Sequence, residues 1–595
     1  MEQKIFTCII GLLVGVSVWA HDFEVFGIYY NIVKDTYQKN VVVTKDQNSN
    51  FINFNYCYEG DIDIPSEVSY NGILYKVISI GDSAFYNCWK LSSVSIPNSV
   101  TSIGDYTFYG CSGLTSVSIP NSVTSIGSSA FRECSGLSSI SIPNNVTSIG
   151  YAAFLNCNNL REVIIEDGSS PLSFKISCSD DAFCSNKSLK KLYLGRNLVN
   201  NNIFGKNSNL SYITIGDSVT MIKDHLFENC SNLKSVVIPN SITSIGNLAF
   251  KYVNKVFFLG NKQPYNVYEA FPNCKVYYTP NEKFNNMKGI HKPYSLLNSM
   301  FEIDGVIYIP TSQKTCDLVD VNYSLDSINS IIGPSVKYTN ANGRQYEFKV
   351  CNINMYAGYE CNSFSSLKLN NIGNIEVFAF SKSNVSSIEI TCSDTSSIEE
   401  NAFSECLNAK EIKVSNIKEI GKNAFKGCSA ATSITISNNG DIKDYAFSDC
   451  SAVTSINVSN GVKNIGKYAF SGNVALTSFS LGSSVETIGE YAFSKCNALI
   501  DFTSYSTIPP LVSSNAFLDI NKLECTLHVP LGASNAYMEA NYWNEFWIEE
   551  DVITNITNIN TNHNSSKNIY NIMGRKLAKP QKGVNIIDGK KIIIK

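Results

Sequence analysis

Apolar and polar positions in this chain repeat with one long period. Residues 80–102 read IGDSAFYNCWKLSSVSIPNSVTS, and close copies begin at Ile103, Ile126 and Ile149, at a constant step. Cys88, Cys111, Cys134 and Cys157 keep the same step. Self-similarity of this length predicts a solenoid, because one such unit cannot enclose a core alone whereas a stack buries a continuous one. Within a unit, Val94 and Ile96 alternate with Ser93 and Ser95, which predicts a short strand with one apolar face. Pro97 lacks the N–H a ladder needs, so the strand ends in a Pro97-Asn98 turn. Val100 and Ile103 should point inward from a second extended segment. Gly81 allows a tight bend, and the residues Asp82, Ser83, Ala84 and Phe85 predict one helical turn capped by Asp82 or Ser83. Ala84, Phe85, Cys88 and Leu91 are then expected to fill the interior, with strands of successive coils parallel and about 4.8 Å apart.

The same pattern organises the rest of the chain as a tandem duplication. Residues 21–79 read as β-hairpins, with the two-residue hairpin signal Asn71-Gly72, and form an N-terminal β cap. A first array with its terminal segment follows over 80–298. It contains degraded coils near Cys178 and Val199 and clean copies at Ile222 and Ile245. The step from Ile149 to Cys178 exceeds the norm by six, and the extra residues are placed in a loop around 166–174. A second cap, 299–374, opens at Phe301 with FEIDGVIYIP, echoing FEVFGIYY at Phe23, and carries Asn342-Gly343 where the first has Asn71-Gly72. The second array and its terminal segment span 375–550, with coils at Ile375, Ile398, Ile420, Ile442, Ile465 and Ile488. An Asn- and Thr-rich linker (551–567) and a short β module (568–595) complete the chain.

The phased motif IGxxAFxxCxxLxSVxIPxSVTS resembles the BspA-like leucine-rich repeat family of bacterial, Bacteroidetes-type surface proteins. The resemblance implies a β-rich solenoid, here two leucine-rich-repeat arrays of parallel strands and one-turn helices. It also implies surface display and adhesion to host matrix or plasma proteins, or to other cells. Residues 525–550 are similar to the family's terminal segment, whose aromatic residues, here Trp543, Phe546 and Trp547, would cover the last open coil. The closing stretch NIYNIMGRKLAKPQKGVNIIDGKKIIIK looks like the last strands of sorting and anchoring modules on exported proteins. It is shorter than such modules, and a β-appendage without a signalling role is the other reading.

Composition narrows the setting. A net charge of −4 and a pI near 5.9 give no reason to expect nucleic-acid or anionic-membrane binding. Residues 1–20 read as a secretory signal: Lys4, an apolar run over 5–18, and Val18-Trp19-Ala20 before a cleavage site, so the mature chain would begin at His21. No later stretch is expected to span a membrane, which places the protein outside the cell, secreted or on the outer surface. Of 19 cysteines, nine (Cys88, Cys111, Cys134, Cys157, Cys230, Cys406, Cys428, Cys450 and Cys496) share one phase of the repeat. Stacked neighbours about 4.8 Å apart exceed the roughly 3.8 Å a disulfide prefers between Cβ atoms, so these are expected as buried thiols. Cys57, Cys351 and Cys361 fall off that phase and stay open.

Chemistry-bearing motifs are absent. The five histidines, His21, His225, His291, His528 and His563, form no HExxH, and no CxxC, GxSxG, P-loop or GxGxxG occurs. Asp180-Asp181 and Glu399-Glu400 lie at variable coil positions that suit a solvated face. No catalytic, cofactor or metal site is therefore expected, and the protein reads as a non-enzyme. Outward strand positions carry serine in the first coils, at Ser93, Ser95, Ser116, Ser118, Ser139 and Ser141. From the fourth coil they change to Arg161, Glu162, Lys190, Lys191, Tyr193, Tyr212, Thr214 and Lys234, with Lys410, Glu411 and Lys413 a similar patch later. Tyrosine and arginine favour binding hot spots, which makes these the candidate partner-binding residues; variation of an ordinary surface is the competing reading. The expected function is binding, as a monomer, to host extracellular proteins or other cell surfaces. A glycan-binding module using Tyr193 and Tyr212, and a structural surface layer without a ligand, are the alternatives.

Overall fold

The alternating strand motif builds a parallel ladder in which each rung is one coil. A computed structural model describes residues 21–34, 38–45, 57–175, 182–183, 186–280, 289–294, 296–325, 328, 331–340, 342–392, 395–437 and 440–552, and four later strands. The signal segment and residues 553–567 of the expected linker lie outside the described residues, whereas Asp551 and Val552, placed in that linker from their composition, belong to the strand Trp547–Val552. The fold is a β-solenoid with coils of about 23 residues, and the chain divides into two compact units, Met1–Asn298 and Ser299–Lys595.

In the first unit the expected strand Leu91–Ser95 pairs in parallel with Ser116–Ser118, so Ser93, Val94 and Ser95 lie beside Ser116, Val117 and Ser118. Ser139–Ile142, Glu162–Ile165, Lys191–Leu194 and Tyr212–Ile215 continue as one parallel sheet. A second ladder joins the short strands Ser102–Ile103, Ser125–Ile126, Ser148–Ile149 and Ser173–Phe174. Ahead of the first coil, Phe23–Val25, Ile28–Ile32 and Asn40–Thr44 run antiparallel, and the last of them pairs in parallel with Ile73–Ile80. Asn71 and Gly72 turn the hairpin from Glu67–Tyr70 into Ile73–Ile80, both with positive φ (51° and 76°), as a type I′ turn requires.

The second unit repeats this order with Phe301–Ile303, Val306–Pro310 and Thr315–Val321, then Gln345–Ile353. Its hairpin is not closed by Asn342-Gly343 alone. Thr339 pairs with Gln345, so the loop is 340–344, and Asn340 Oδ1 accepts hydrogen bonds from the N–H groups of Asn342 and Arg344. Parallel strands run from Ile331–Ile332 through Leu367–Ile372 to Trp547–Val552, with a second ladder from Ser397–Ile398 to Leu511–Val512. The backbones of Ile569–Asn571, Lys576–Leu577, Gly583–Ile587 and Lys590–Ile594 form a separate antiparallel sheet.

The predicted one-turn helices are not helices. Ser83 sits at φ 57°, and the equivalent Tyr106, Ser129 and Ala152 at 56°, 51° and 52°, in the left-handed region that breaks a helix. Alternate N–H groups leave the coil: Ser83, Phe85 and Asn87 donate to the carbonyls of Asp105, Thr107 and Tyr109 one coil on, at 2.8, 2.8 and 2.6 Å. Those between them stay local, with Ala84, Tyr86 and Cys88 donating to Gly81, Ser83 and Phe85. Asp82 caps no helix either; its Oδ1 accepts the N–H of Asp105 in the next coil at 2.7 Å, as Asp105 accepts that of Ser128 at 2.6 Å. The backbone-to-backbone bonds between these turns run from earlier to later coils, and the aspartate bonds run back. Among the described residues the helices are Val267–Ala270, Ser534–Glu539 and the 3-10 turn Leu297–Ser299.

Inside, phenylalanines stack into two columns. Rings from Phe85 through Phe108, Phe131, Phe154, Phe183, Phe204, Phe227 and Phe250 to Phe271 are 5.0–5.9 Å apart. In the second unit the column from Phe380 to Phe517 keeps 5.0–5.7 Å. All nine in-phase cysteines are buried and free, and most sulfurs donate to the phenylalanine carbonyl of the preceding coil, Cys111 to Phe85 at 3.0 Å and Cys134 to Phe108 at 3.1 Å. Cys361 is buried too, whereas Cys57 and Cys351 are half-buried.

Two expectations need correcting. The extra residues are not all in 166–174: Ile142 to Ile149 is seven residues and Ile165 to Phe174 nine, but Ile149 to Phe154 is five and Phe174 to Phe183 nine. Most of the insertion thus falls after Phe174, partly outside the described residues. Nor do three aromatic residues cover the last coil. Trp543 and Phe546 are buried against Phe502 and Phe517, and the Trp543 indole N–H donates to the Pro510 carbonyl at 2.9 Å. Trp547 begins an outer strand and is 65% exposed.

Candidate binding surface

Strand register decides which outward side chains meet. Glu162, Lys191 and Tyr212 align in one column across three coils, and Ile164, Tyr193 and Thr214 in the next. Arg161, Lys190 and Ser211 occupy the position before the strand: the Lys190 N–H donates to the Arg161 carbonyl, and the Ser211 N–H to that of Lys190. Lys234 stands one residue ahead of Ser235–Ile238, the same place one coil further on. Glu162, Lys191, Tyr193, Tyr212 and Thr214 therefore share the outward strand face, in front of the buried Val163, Leu192 and Ile213, and Arg161, Lys190 and Lys234 stand at its leading edge.

Their charges and hydroxyls are engaged. Lys191 Nζ is 2.9 Å from Glu162 Oε1, a half-exposed pair across adjacent strands. The Tyr193 hydroxyl donates to Asp167 Oδ2 at 2.8 Å, and that bond, with partial burial, pushes the phenol up to about 12. Arg161 and Thr214 are the most exposed of the set. In the second unit Lys410 precedes Glu411–Ser415, on which Glu411 and Lys413 face out. Lys413 Nζ is 2.8 Å from Glu411 Oε1, which raises the ammonium pKa, and Lys368 pairs with Glu389 at 2.7 Å beside them. This second patch is locally neutralised.

Sequence reading missed the edge just beyond these strands. The fully buried Arg196 sends Nη2 to the Pro143 carbonyl at 2.8 Å and Nη1 to that of Asn144. Glu166 accepts from the Ser141 hydroxyl at 2.9 Å. A depression of about 310 Å³ lined by Asp217, Asn240, Leu259 and Asn261 opens along the same edge. Each of these residues follows a strand whose partner is a coil away, so no local motif announces it. A tyrosine column was also missed. Tyr445, Tyr468 and Tyr491 stack at 4.7 and 4.8 Å with interplanar angles of 5° and 9°, a signal that their constant spacing did carry. Of the remaining polar candidates, Asp180 and Asp181 lie outside the described residues. Glu399 accepts the Ser397 hydroxyl, and His225 Nδ1 is 2.9 Å from Glu228 Oε2. No helix among the described residues is long and apolar enough to cross a membrane.

Solved structures similar to the chain include leucine-rich repeat proteins. A leucine-rich repeat protein from Bacteroides ovatus is 21% identical, covering 89% of this chain and 100% of that one, with a TM-score of 0.29. A leucine rich cell surface protein from Faecalibacterium prausnitzii is 22% identical over 81% and 94%, at 0.27. The pneumococcal vaccine antigen PcpA is 13% identical over 89% and 98%, also at 0.27. No curated protein matches. The family model described as BspA type leucine rich repeat region matches residues 53–178, 172–256, 337–440 and 418–544, well over half of the chain. On that match, and on the phased coils that carry it, the chain belongs to the BspA-type leucine-rich repeat family.

Proposed function

We propose that the protein is a non-enzymatic, exported or surface-displayed scaffold whose outer strand face in the first unit binds a protein of the host or of a neighbouring cell. The observation that carries this reading is the change of that face. Serine columns give way to Arg161, Glu162, Lys191, Tyr193 and Tyr212 in successive rungs held rigidly by parallel pairing. Rigid presentation lowers the ordering cost of binding, and aromatic and arginine side chains supply most of the energy at protein interfaces. On this reading residues 21–79 and 299–374 cap the open first coil of each array, the linker is 553–567, after the strand that ends at Val552, and 568–595 serves attachment. The test is binding of the full mature chain to a panel of immobilised matrix and plasma proteins. Alanine at Arg161, Lys191, Tyr193 and Tyr212 together should weaken capture at least about tenfold, near the 1.4 kcal/mol that a tenfold change represents. Undiminished capture would end this assignment of the face.

A glycan-binding reading is less well supported. Sugars stack on a free aromatic face, and in the most regular tyrosine column Tyr468 spends both faces on the rings of Tyr445 and Tyr491. Specific hits on a glycan array, lost in Tyr193→Ala and Tyr212→Ala, would reinstate it.

A further inference from the structure

The last strands of the second unit bring together four ionisable groups from three separate segments of the chain. Asp501–Ser504, Thr526–Pro530 and Trp547–Val552 lie side by side, with Thr503 beside His528 and His528 beside Glu549. The register then slips between Val529 and Pro530, leaving Asp551 as the extra residue of a bulge, since Val529 pairs with Glu550 and Pro530 with Val552. Bulges re-aim side chains. Here the bulge turns Asp551 toward His528, whose Nδ1 is 3.0 and 3.1 Å from the two carboxylate oxygens. Ligand atoms of His528, Glu549 and Asp551 all lie within 4.8 Å of one another. The other ring nitrogen, Nε2, faces Asp501 Oδ1 at 3.5 Å, and the Trp547 indole N–H approaches Glu549 Oε1 at 3.4 Å.

We infer that His528, Glu549 and Asp551 form a binding site for a divalent first-row transition metal, with zinc as the best match. Three carboxylates, Asp501, Glu549 and Asp551, crowd one imidazole, and a cation at their centre offsets that repulsion. Nitrogen and oxygen donors about 3 Å apart are the separation expected when both bind one ion at about 2.0–2.2 Å. Imidazole with two carboxylates selects zinc-like ions over calcium or magnesium, which prefer all-oxygen shells. Asp501, 3.5 Å from Nε2, is placed for the supporting role that carboxylates play behind metal-bound histidines, favouring the tautomer with its proton on Nε2 so that the Nδ1 lone pair is free to bind. The site is partly open, since the side chains of His528 and Asp551 are 22% and 26% exposed. Room therefore remains for water or a partner's ligand atom. His528 stands about one coil period ahead of Glu549 and Asp551 in the chain, so no linear motif reveals the set.

Calorimetric titration of the untagged mature chain with Zn²⁺, and visible spectra with Co²⁺, test the site. One equivalent should bind and produce the absorption of a nitrogen- and oxygen-ligated cobalt centre. His528→Ala and Asp551→Asn should each weaken it at least about tenfold, with Asp501→Asn giving a smaller loss. Ca²⁺ in excess should not compete. Binding that is undiminished in His528→Ala, that disappears only in His21→Ala, or that is absent from the wild-type chain would overturn the site. Should His528→Ala alter the circular dichroism, the nearly isosteric Asp551→Asn decides between the outcomes.

Discussion

Cysteine shows what the repeat asks of a single residue. Its position must be small, apolar enough for the interior and able to give one proton to a carbonyl, and the thiol of Cys157 does this at 3.1 Å to Phe131. The shared phase made the burial legible in the sequence; the acceptor was not, because it belongs to the preceding coil. Burial pushes Cys157 and Cys496 up to about 12 from the ordinary 9. These thiols hold their protons in the folded chain at a pH where unfolded ones have lost them. Their contribution to stability is complete below about pH 9 and is lost as pH rises toward 12. The urea midpoint should accordingly fall from pH 9 to pH 11, less steeply in Cys157→Ala; a midpoint that stays level would contradict it. Brief alkylation of the native chain, read by mass spectrometry, should modify Cys57 ahead of every other described cysteine. It is half-buried, and its contact with Cys88 lowers its pKa, whereas burial raises those of Cys111 and Cys134. Equal labelling of Cys57 and Cys134 would show that the coils are not packed as described.

At the scale of the coil, the contested element is the turn. Small residues, an aspartate and Ala-Phe resemble a helix start when read in isolation. What defeats the helix is the neighbouring coil, whose carbonyls take alternate N–H groups and so require a left-handed residue at Ser83 and its equivalents. Glycine marks how close those neighbours come. A Cβ at Gly127 would stand 2.4 Å from backbone atoms of Gly104 and 2.5 Å from the Asp105 nitrogen, none of which can move aside without moving a coil. Gly127→Ala should therefore cost about 2–3 kcal/mol in chemical denaturation, in the range for overpacked interiors. Gly27, at φ +76° with open space around it, provides the contrast: alanine there should cost only about 1 kcal/mol, from backbone strain alone. Equal losses at the two sites would mean that coil spacing does not constrain Gly127.

Across the whole molecule, stability is a sum of coils and their contacts with the next, so each end needs separate treatment. The buried Trp543 and Phe546 close one such end. Beyond them, the strands from Ile569 to Ile594 pair only with one another among the described residues, which suits a detachable module. Deleting 553–595 should leave the thermal unfolding of the rest unchanged while moving the protein from the cell surface to the medium, as fractionation would show. Surface retention by the truncated chain would assign attachment elsewhere. The period, the inward columns of Ile, Leu, Phe, Ala and Cys, and the strands were all legible in the chain of letters, because each follows from side-chain alternation within a few residues. Packing of one coil on the next settled the left-handed turns, the alignment of Glu162 with Lys191 and Tyr212, the exposure of Trp547 and the meeting of His528 with Asp551. Those depend on register between coils, which is set by insertions, bulges and hydrogen bonds linking residues a full coil apart in sequence.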